Sequence, residues 1–431
     1  MAPMESQPPG RPSRGLTVGI ITPHFPPDRG GCASRYEDMV KELTRLGFRC
    51  SVLTEVPSYP TGQVPQGFRN RLIFEDRREG ARVFRAAIFP FKVDSIFDRV
   101  VAYTFFLISA AAFICLWGRK RFLCDAYILS TPPVTMNALA PIIGAVLRRP
   151  ILNDVRDFWP EALQGTYIGR SGIRARTIQM LQLLGIRRSK SVVTVTPGLM
   201  DRVDRAMKSN RISRPLYYVP NGVDLGLFKA SDVPMESAGE RLTPPGSKTI
   251  LYSGILSRSQ KPENVIRAFK LVAEKRSDAM LLLIGRGDAE ATVKEMIERT
   301  GLGDRVRLLD PVPRETLISY IRESAVCLVP LHENQVDALT TKFFEYLACE
   351  KPVIATSSNN LKEILSESGA GLFVSINDEA SLASAITSLL SDEALGKRMG
   401  KQGRSYLEKS VFNRSESVKT LAGAISVMVG E

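Results

Sequence analysis

The chain has 431 residues, more than a single hydrophobic core normally holds, so two domains are expected. Hydrophobic residues make up 44% and charged residues 24%, a balance that excludes a wholly disordered protein. The net charge of +13 is uneven, because residues 1–220 carry 32 basic and 17 acidic side chains (+15) and residues 221–431 carry 26 and 28 (−2).

A basic N-terminal half suits an anionic membrane, a phosphorylated substrate or nucleic acid. Nucleic acid is disfavoured, because the sequence has no zinc-finger spacing, no RNP-type aromatic motif and no dense Lys/Arg run. The six cysteines form no CxxC pair, which indicates reduced thiols in the cytosol, and two histidines cannot build a histidine-rich metal site. Residues 1–15 are Pro-rich without an apolar core, which predicts a mobile tail and no signal peptide.

Short β-branched runs alternate with helical patterns, as in parallel sheets covered by helices. The predicted strands are 16–22, 50–54, 81–87, 125–130, 150–155, 191–196 and 216–220, then 248–254, 280–285, 305–310, 325–330, 351–355 and 371–374. The sequence therefore predicts an α/β protein with two doubly wound Rossmann-like domains facing a cleft. The predicted division is an N-terminal domain at 16–228, a linker at 229–247, a C-terminal domain at 248–412 and a final helix at 413–431.

Two glycine-containing turns follow the first strand of each half. PPDRGG (26–31) contains Gly30 and Gly31, and YSGILSRSQKPENV (252–265) contains Gly254 and Lys261. Each precedes a predicted helix, so free backbone N–H groups there are candidates to bind an anion. Neither turn has the complete GxGxxG or GxxxxGK[ST] pattern, and a plain connection that needs glycine explains each equally well.

The segment VDALTTKFFEYLAC (336–349) places Asp337 before a predicted helix that begins near Thr340 or Thr341, with Lys342 and Glu345 near the first turn. Such a helix start with a lysine attracts a diphosphate, whereas carboxylates suit hydroxyl groups on a ribose and a sugar. This pattern fits a nucleotide-sugar site. Taken alone, it fits a solvated helix start with ordinary charges somewhat better.

These motifs, together with VPNGVD (219–224) and LLLIGRGD (281–288), resemble those of family-4 retaining glycosyltransferases of the GT-B type, in the same order along nearly the whole chain. The family's acidic motif is two glutamates separated by seven residues, and here Asp337 and Glu345 take those positions. The resemblance implies that Glu345 holds the donor ribose and Asp337 contacts the donor sugar.

By the same resemblance the donor diphosphate contacts Lys261 and the N–H groups near Gly30, Gly31, Gly254 and Gly285, with Thr341 and Lys342 at the helix start. The family's arginine after the glycine is replaced by Ile255, and Arg258 is the candidate substitute. The family implies transfer on one face of the sugar, with the leaving diphosphate helping to take the acceptor proton and no metal required.

NDVRDFWPEAL (153–163) and SYPTGQV (58–64) are similar to a bacterial branch that builds O-antigen and capsule. That branch often moves N-acetylated hexosamines or fucosamines to lipid diphosphate acceptors. Asp154 and Asp157, at the end of a predicted strand, are candidates to orient or deprotonate the acceptor hydroxyl, and capping with Arg156 pairing is the structural alternative. His24 is more typical of a structural residue.

The apolar stretch from Val100 to Trp117 is flanked by Arg99 and GRKR (118–121). A buried core helix, a helix lying in the membrane interface and a true span all remain open, and the membrane reading assigns Phe105, Phe106, Phe113 and Trp117 to lipid.

The sequence predicts a metal-independent retaining glycosyltransferase at the cytoplasmic face of the inner membrane. Its donor would be a nucleotide sugar, UDP-linked according to the resemblance, and its acceptor would be lipid-linked or a polysaccharide precursor. A nucleotide-sugar epimerase of related fold is the alternative. A Rossmann oxidoreductase is less consistent, because the 26–31 turn lacks the dinucleotide fingerprint.

Overall fold

The computed structural model describes residues 15–28, 30–58, 64–71, 73–88, 96–158, 172–228 and 243–430. The chain divides into two compact units, 1–220 with 414–431 and 221–413. The boundary lies before the predicted one at 228, because Val223, Leu225 and Phe228 are buried in the core of the second unit. The predicted linker lies mostly outside the described residues, as do the tail up to residue 14 and most of 58–64.

The first unit contains an eight-stranded sheet in the order β3-β4-β2-β1-β5-β6-β7-β8, parallel except for β3. Its strands are β1 Thr17–Ile21, β2 Arg49–Glu55, β3 Ile73–Arg78, β4 Ala81–Ala86, β5 Ala126–Thr131, β6 Ile151–Val155, β7 Ser191–Thr194 and β8 Leu216–Tyr218. Its helices are α1 Gly31–Arg45, α2 Ile96–Phe113, α3 Arg119–Arg121, α4 Leu139–Val146, α5 Ile173–Arg188, α6 Pro197–Ser209 and, at the end of the chain, α14 Arg414–Gly430.

Helices cover both faces of this sheet, as the alternation of side chains along its strands requires. Ile20 and Ile128 face a core that includes α1 and α14. Leu129, one residue further along β5, faces the opposite core, which includes α2 and α4. The final helix of the chain therefore completes the first unit.

The second unit contains a six-stranded parallel sheet in the order β11-β10-β9-β12-β13-β14. Its strands are β9 Lys248–Ser253, β10 Ala279–Ile284, β11 Val306–Leu309, β12 Val326–Val329, β13 Val353–Thr356 and β14 Gly371–Val374. Its helices are α7 Pro262–Lys275, α8 Glu290–Arg299, α9 Arg314–Glu323, α10 Thr341–Ala348, α11 Asn359–Ser368, α12 Glu379–Ser391 and α13 Glu393–Lys409. Helices α9, α10 and α11 pack on one face of the sheet and α7, α8 and α12 on the other.

All thirteen predicted strands coincide with strands of the structure, and the two doubly wound sheets are confirmed. The analysis missed β3, the antiparallel edge strand IFEDRR, since its half-exposed, charge-rich sequence lacks the continuous apolar run of a buried parallel strand.

Candidate active site

Helix α10 begins at Thr341, and Thr340 occupies the N-cap position, as the sequence predicts. Phe343, Phe344 and Leu347 are buried and fix the helix on the sheet. The Thr340 side chain accepts no capping hydrogen bond, and its hydroxyl has no partner among the described residues. Hydroxyl groups buried in this way usually bond to water or a ligand. The first turn of α10 is therefore suited to a polar ligand.

Lys342 projects from this turn into the loop that follows β9. Its Nζ donates a hydrogen bond to Gln260 Oε1 at 3.0 Å and lies 4.1 Å from the centre of the Tyr252 ring, a cation–π distance. Desolvation lowers the pKa of this half-buried lysine to about 7, and the nearby negative charge of Glu345 partly opposes that change. The amine is held by neutral groups next to one carboxylate, so an anionic ligand would stabilise its charged form.

The loops after β9 and β10 contact each other through two glycines. Gly254 and Gly285 have φ angles of 137° and 148°, which favour glycine. A Cβ on Gly254 would lie 2.7 Å from Lys342 Nζ, and one on Gly285 would lie 1.8 Å from the Gly254 carbonyl oxygen. The structure therefore brings Gly254, Gly285 and Lys342 together at the carboxyl ends of two adjacent parallel strands, where ligands bind in this class of sheet.

Lys261, the other predicted diphosphate ligand, is already engaged. Its Nζ lies 2.8 Å from Glu333 Oε2 and 2.8 Å from Asn377 Oδ1. Its backbone is in the left-handed region, with φ 40°, directly before α7. A diphosphate that uses Lys261 must therefore compete with Glu333. The Arg258 side chain is exposed, and its backbone N–H donates to Asp288 Oδ1 at 3.2 Å.

The two carboxylates of the acidic motif have different surroundings. Glu345 Oε1 lies 3.7 Å from Arg314 Nη2, and the Glu345 side chain is 13% exposed. Asp337 is half-buried on the loop before α10, and its main-chain oxygen accepts a hydrogen bond from Asn360 Nδ2 at 2.8 Å. Glu345 is thus the more enclosed of the two and lies beside two cationic residues, Arg314 and Lys342.

In the first unit, Gly30 directly precedes α1, which begins at Gly31. Asp28 stabilises the preceding turn. Its Oδ1 accepts a hydrogen bond from the Ser58 N–H at 2.8 Å, and its Oδ2 lies 3.3 Å from His24 Nδ1. His24 is thereby part of the turn's own structure.

The structure corrects the catalytic prediction for Asp154. Its carboxylate is fully buried, receives two hydrogen bonds from the Arg35 guanidinium at 3.1 Å and one from the Tyr36 hydroxyl at 2.7 Å. Arg35 also donates to the main-chain oxygens of Val219 and Pro220. Asp154 is enclosed by these donors and has no exposed surface, so the structure favours a role in fixing Arg35 and the main chain at Val219 and Pro220.

Asp157 differs from Asp154 because its side chain is exposed. It is nevertheless hemmed in by protein atoms, and this desolvation raises the pKa of Asp157, while Arg156 and Arg202 lower it. Arg156 is held by hydrogen bonds to Ser130 Oγ and the Pro132 main-chain oxygen, each at 3.1 Å. Asp157 therefore remains an accessible carboxylate beside a fixed arginine.

The structure also corrects two of the predicted membrane residues. Phe106 and Phe113 are fully buried, and Phe113 packs against Phe84 at a ring distance of 5.2 Å. Phe105 and Trp117 are partly buried. The sequence did not distinguish the two sides of this helix, because both sides are apolar.

The opposite side of α2, together with the helical segment Ile114–Gly118 that continues it, is apolar and exposed. Val100, Ile108 and Leu116 are 52%, 61% and 64% exposed. The helical stretch Val100–Arg121 is long and apolar enough to span a membrane, as the core helices of some soluble proteins also are. Only 28% of its most apolar 18 residues are buried. This helix therefore has one core face and one apolar face toward solvent.

Sequence reasoning did not single out several residues that contact the candidate residues, namely Tyr252, Gln260, Glu333, Arg314 and Arg35. Tyr252 and Gln260 lie inside the 252–265 segment, but nothing local indicates that they contact Lys342, which is 82 residues after Gln260. Within the described part of the chain, no group of three His, Cys, Asp or Glu residues is arranged to hold a metal ion.

Solved structures share this architecture over nearly the whole chain. The sucrose-phosphate synthase from Thermosynechococcus elongatus has a TM-score of 0.71 with 17% identity, and the match covers 96% of this chain and 98% of that one. Anabaena HepE in complex with UDP has a TM-score of 0.66 with 14% identity, covering 96% and 100%. The fold is thus that of the GT-B glycosyltransferases.

The sequence comparisons define the class more narrowly. Residues 236–406, less than half of the chain, match the family described as glycosyl transferases group 1. The putative colanic acid biosynthesis glycosyl transferase WcaI of Escherichia coli K12 is 25% identical over 67% of this chain and 69% of its own length. The N-acetyl-alpha-D-glucosaminyl L-malate synthase of Bacillus anthracis is 24% identical over 55% and 59%. Residues 236–406 thus resemble glycosyl transferases group 1, the fold of the chain is GT-B, and the epimerase alternative is not favoured.

Proposed function

We propose that this protein is a glycosyltransferase that moves an N-acetylated hexosamine or deoxyhexosamine from a UDP-linked donor to a lipid-linked or polysaccharide-precursor acceptor, with retention of configuration. The observation that carries the donor site is the position of Lys342 Nζ against Gly254, at the carboxyl end of β9. Two relatives support the substrate classes: one is named a putative colanic acid biosynthesis glycosyl transferase, and the other an N-acetyl-alpha-D-glucosaminyl L-malate synthase.

In this proposal the donor diphosphate lies between the Gly254 loop and the first turn of α10. Lys342 supplies positive charge, Glu345 accepts hydrogen bonds from the ribose hydroxyls and Asp337 contacts the sugar. The bond from the anomeric carbon to the leaving phosphate oxygen breaks, and the acceptor oxygen bonds to that carbon on the same face. The acceptor proton passes to the leaving phosphate, and Asp157 orients the acceptor hydroxyl.

Saturation-transfer NMR against a panel of nucleotide sugars tests the donor assignment. UDP-linked N-acetylated sugars should give the strongest transfer of saturation, and the signal should fall in Lys342→Met. Incubation of the preferred donor with a lipid diphosphate-linked sugar should then yield an extended product whose new linkage keeps the donor's anomeric configuration. A product with inverted configuration contradicts the proposed chemistry.

We also propose that transfer is metal-independent. The lysine amine supplies positive charge at the diphosphate, and no Asp-x-Asp sequence occurs in residues 221–431. Transfer should therefore continue at the parental rate in EDTA. Loss of activity in EDTA that magnesium or manganese restores would overturn this part of the proposal.

The proposed location is the cytoplasmic face of the inner membrane. The exposed apolar side of α2 continues into Arg119, Lys120 and Arg121, which are exposed and basic. An apolar strip next to basic residues, on a half of the chain with a charge of +15, complements an anionic lipid surface. The proposed lipid contact is thus made by Val100, Ile108 and Leu116, and no longer by the buried phenylalanines.

A further inference from the structure

Arg314 is the first residue of α9, whereas Glu345 of the acidic motif lies on the neighbouring helix α10. Its Nη2 lies 3.7 Å from Glu345 Oε1, and its guanidinium lies over the Phe228 ring at 5.6 Å from the centre. The two charged side chains are 21% and 13% exposed. The sequence motif gave no sign of this pair, because the residues are 31 positions apart.

The distance of 3.7 Å decides what this pair can do. It is an ion-pair distance and is longer than a hydrogen bond, so through this contact Arg314 contributes a positive charge beside Glu345. A carboxylate enclosed to this degree needs a nearby positive charge to stay ionised. Arginine keeps its charge at all working pH values, whereas the charge on Lys342 depends on pH.

The Phe228 ring is a second neighbour of the Arg314 guanidinium. Phe228 is itself buried in the core of the second unit, and its main-chain oxygen accepts a hydrogen bond from Arg404 Nη1 at 3.4 Å. Contact with a fixed ring limits the rotamers of Arg314. The positive charge therefore stays on one side of Glu345.

We propose that Arg314 is a positioning residue for nucleotide recognition, which keeps Glu345 ionised and oriented to accept hydrogen bonds from the ribose hydroxyls of the donor. The inference rests on the proposed function of Glu345. It adds a residue from α9, outside the acidic motif, to the group that distinguishes a ribose from a deoxyribose.

Calorimetric binding of UDP and 2′-deoxy-UDP to the full chain tests the proposal. The parent should bind UDP about tenfold or more tightly than 2′-deoxy-UDP, since a lost hydroxyl leaves an enclosed carboxylate unsatisfied. Arg314→Met and Arg314→Gln should weaken UDP binding and reduce the preference for ribose toward one. Arg314→Lys should restore part of the preference, because it restores the charge without the planar fork.

The control is Arg322→Met, which removes the same charge from the last turn of the same helix. It should keep the parental preference for ribose. Melting temperatures identify any variant that is not folded, and Arg314→Gln decides the question if Arg314→Met does not fold. A purely structural role would weaken both ligands equally and leave their ratio unchanged.

Glu345→Gln tests the proposed donor site separately from the role of Arg314. If Glu345→Gln loses the ribose preference and the Arg314 variants keep it, the role of Arg314 is overturned and the proposed donor site stands. If Glu345→Gln also binds both ligands like the parent, the proposed donor site itself is wrong.

Discussion

Lys342 is a half-buried lysine, and binding of an anion would change its charge. Its neighbours include the Tyr252 ring, the Gln260 amide and the carboxylate of Glu345. Desolvation outweighs the carboxylate and lowers its pKa to about 7. A diphosphate favours the protonated amine, so binding should raise that pKa again.

The first prediction is a proton-linked affinity. Below pH 7 the amine is already protonated and contributes no pH dependence. Above pH 7 each binding event takes up a proton, so the affinity for UDP should fall with rising pH, by at most about tenfold per unit, until the pKa of the complex is reached. Calorimetry between pH 7 and 9 in buffers of different ionisation enthalpy measures this uptake.

Lys342→Met is the matched variant, because it keeps the length of the side chain without a titrating group. It should bind UDP weakly and without this slope. A parent protein that takes up no proton on binding would show that the amine does not contact the diphosphate.

The two aspartates at the end of β6 give opposite predictions. Asp154 is buried with Arg35, so Asp154→Asn leaves a buried arginine short of a counter-charge and should destabilise the first unit by roughly 3 to 5 kcal/mol. Asp157→Asn should leave the melting temperature unchanged, because the side chain is exposed, and should lower the transfer rate with UDP affinity preserved. Thermal unfolding and initial rates distinguish the two cases. An Asp157→Asn enzyme with parental rate removes Asp157 from the acceptor site.

At the scale of elements, the two sides of α2 have different surroundings. Its inner side fills the core between β4 and β5 through Phe106 and Phe113, and its outer side leaves a strip that the described residues do not cover. A core helix needs only one apolar face. An exposed apolar strip on its other side therefore indicates a surface that binds a partner.

The third prediction concerns this strip. Changing Ile108 and Leu116 to Ser should reduce binding to anionic vesicles while the protein stays folded, because both side chains are exposed. Salt should weaken the binding of the parent without abolishing it, since salt screens the charges and leaves apolar burial intact. Sedimentation with vesicles at low and high salt is the measurement.

Changing Phe106 and Phe113 to Ser is the contrasting case and should unfold the first unit, because both rings are in its core. A parent that stays in the supernatant under both salt conditions would exclude this strip as a lipid contact.

At the scale of the whole molecule, the chain returns to its first unit after completing the second. Helix α14 packs against α1, and Val418, Leu421 and Ile425 are fully buried there. Arg414, the first residue of the helix, donates a hydrogen bond to the Pro220 main-chain oxygen at 3.3 Å. Residues at the end of the chain therefore stabilise a domain built by the first 220.

The fourth prediction follows from this return. Leu421→Ala should lower the free energy of unfolding of the first unit by about 2 to 5 kcal/mol, because it creates a cavity in a packed core. Lys419→Ala, on the exposed side of the same helix, should cost less than about 0.5 kcal/mol. Denaturant unfolding of both variants, with UDP binding as the reporter of the second unit, tests this. Equal stability of the two variants would contradict the packing of α14.

The sequence by itself determined the two doubly wound sheets and the start of α10. Parallel strands are buried on both faces and appear in the sequence as continuous apolar runs. The start of a helix is marked by a capping residue directly before it. Both signals therefore lie within a few neighbouring positions. The edge strand β3 escaped detection because a half-exposed strand lacks that run. The motifs that resemble those of GT-B glycosyltransferases were visible for the same local reason.

Only the tertiary structure decided which charged groups are available. Asp154 and Asp157 are three residues apart. Nothing local indicates that Asp154 is buried and bonded to Arg35, 119 positions before it, or that Asp157 is exposed. The contacts of Lys342 with Gln260 and of Glu345 with Arg314, and the return of α14, are equally long-range. Periodicity reports that a side chain is buried, but the free energy of a buried charge depends on its partners, and the topology of the chain selects those partners.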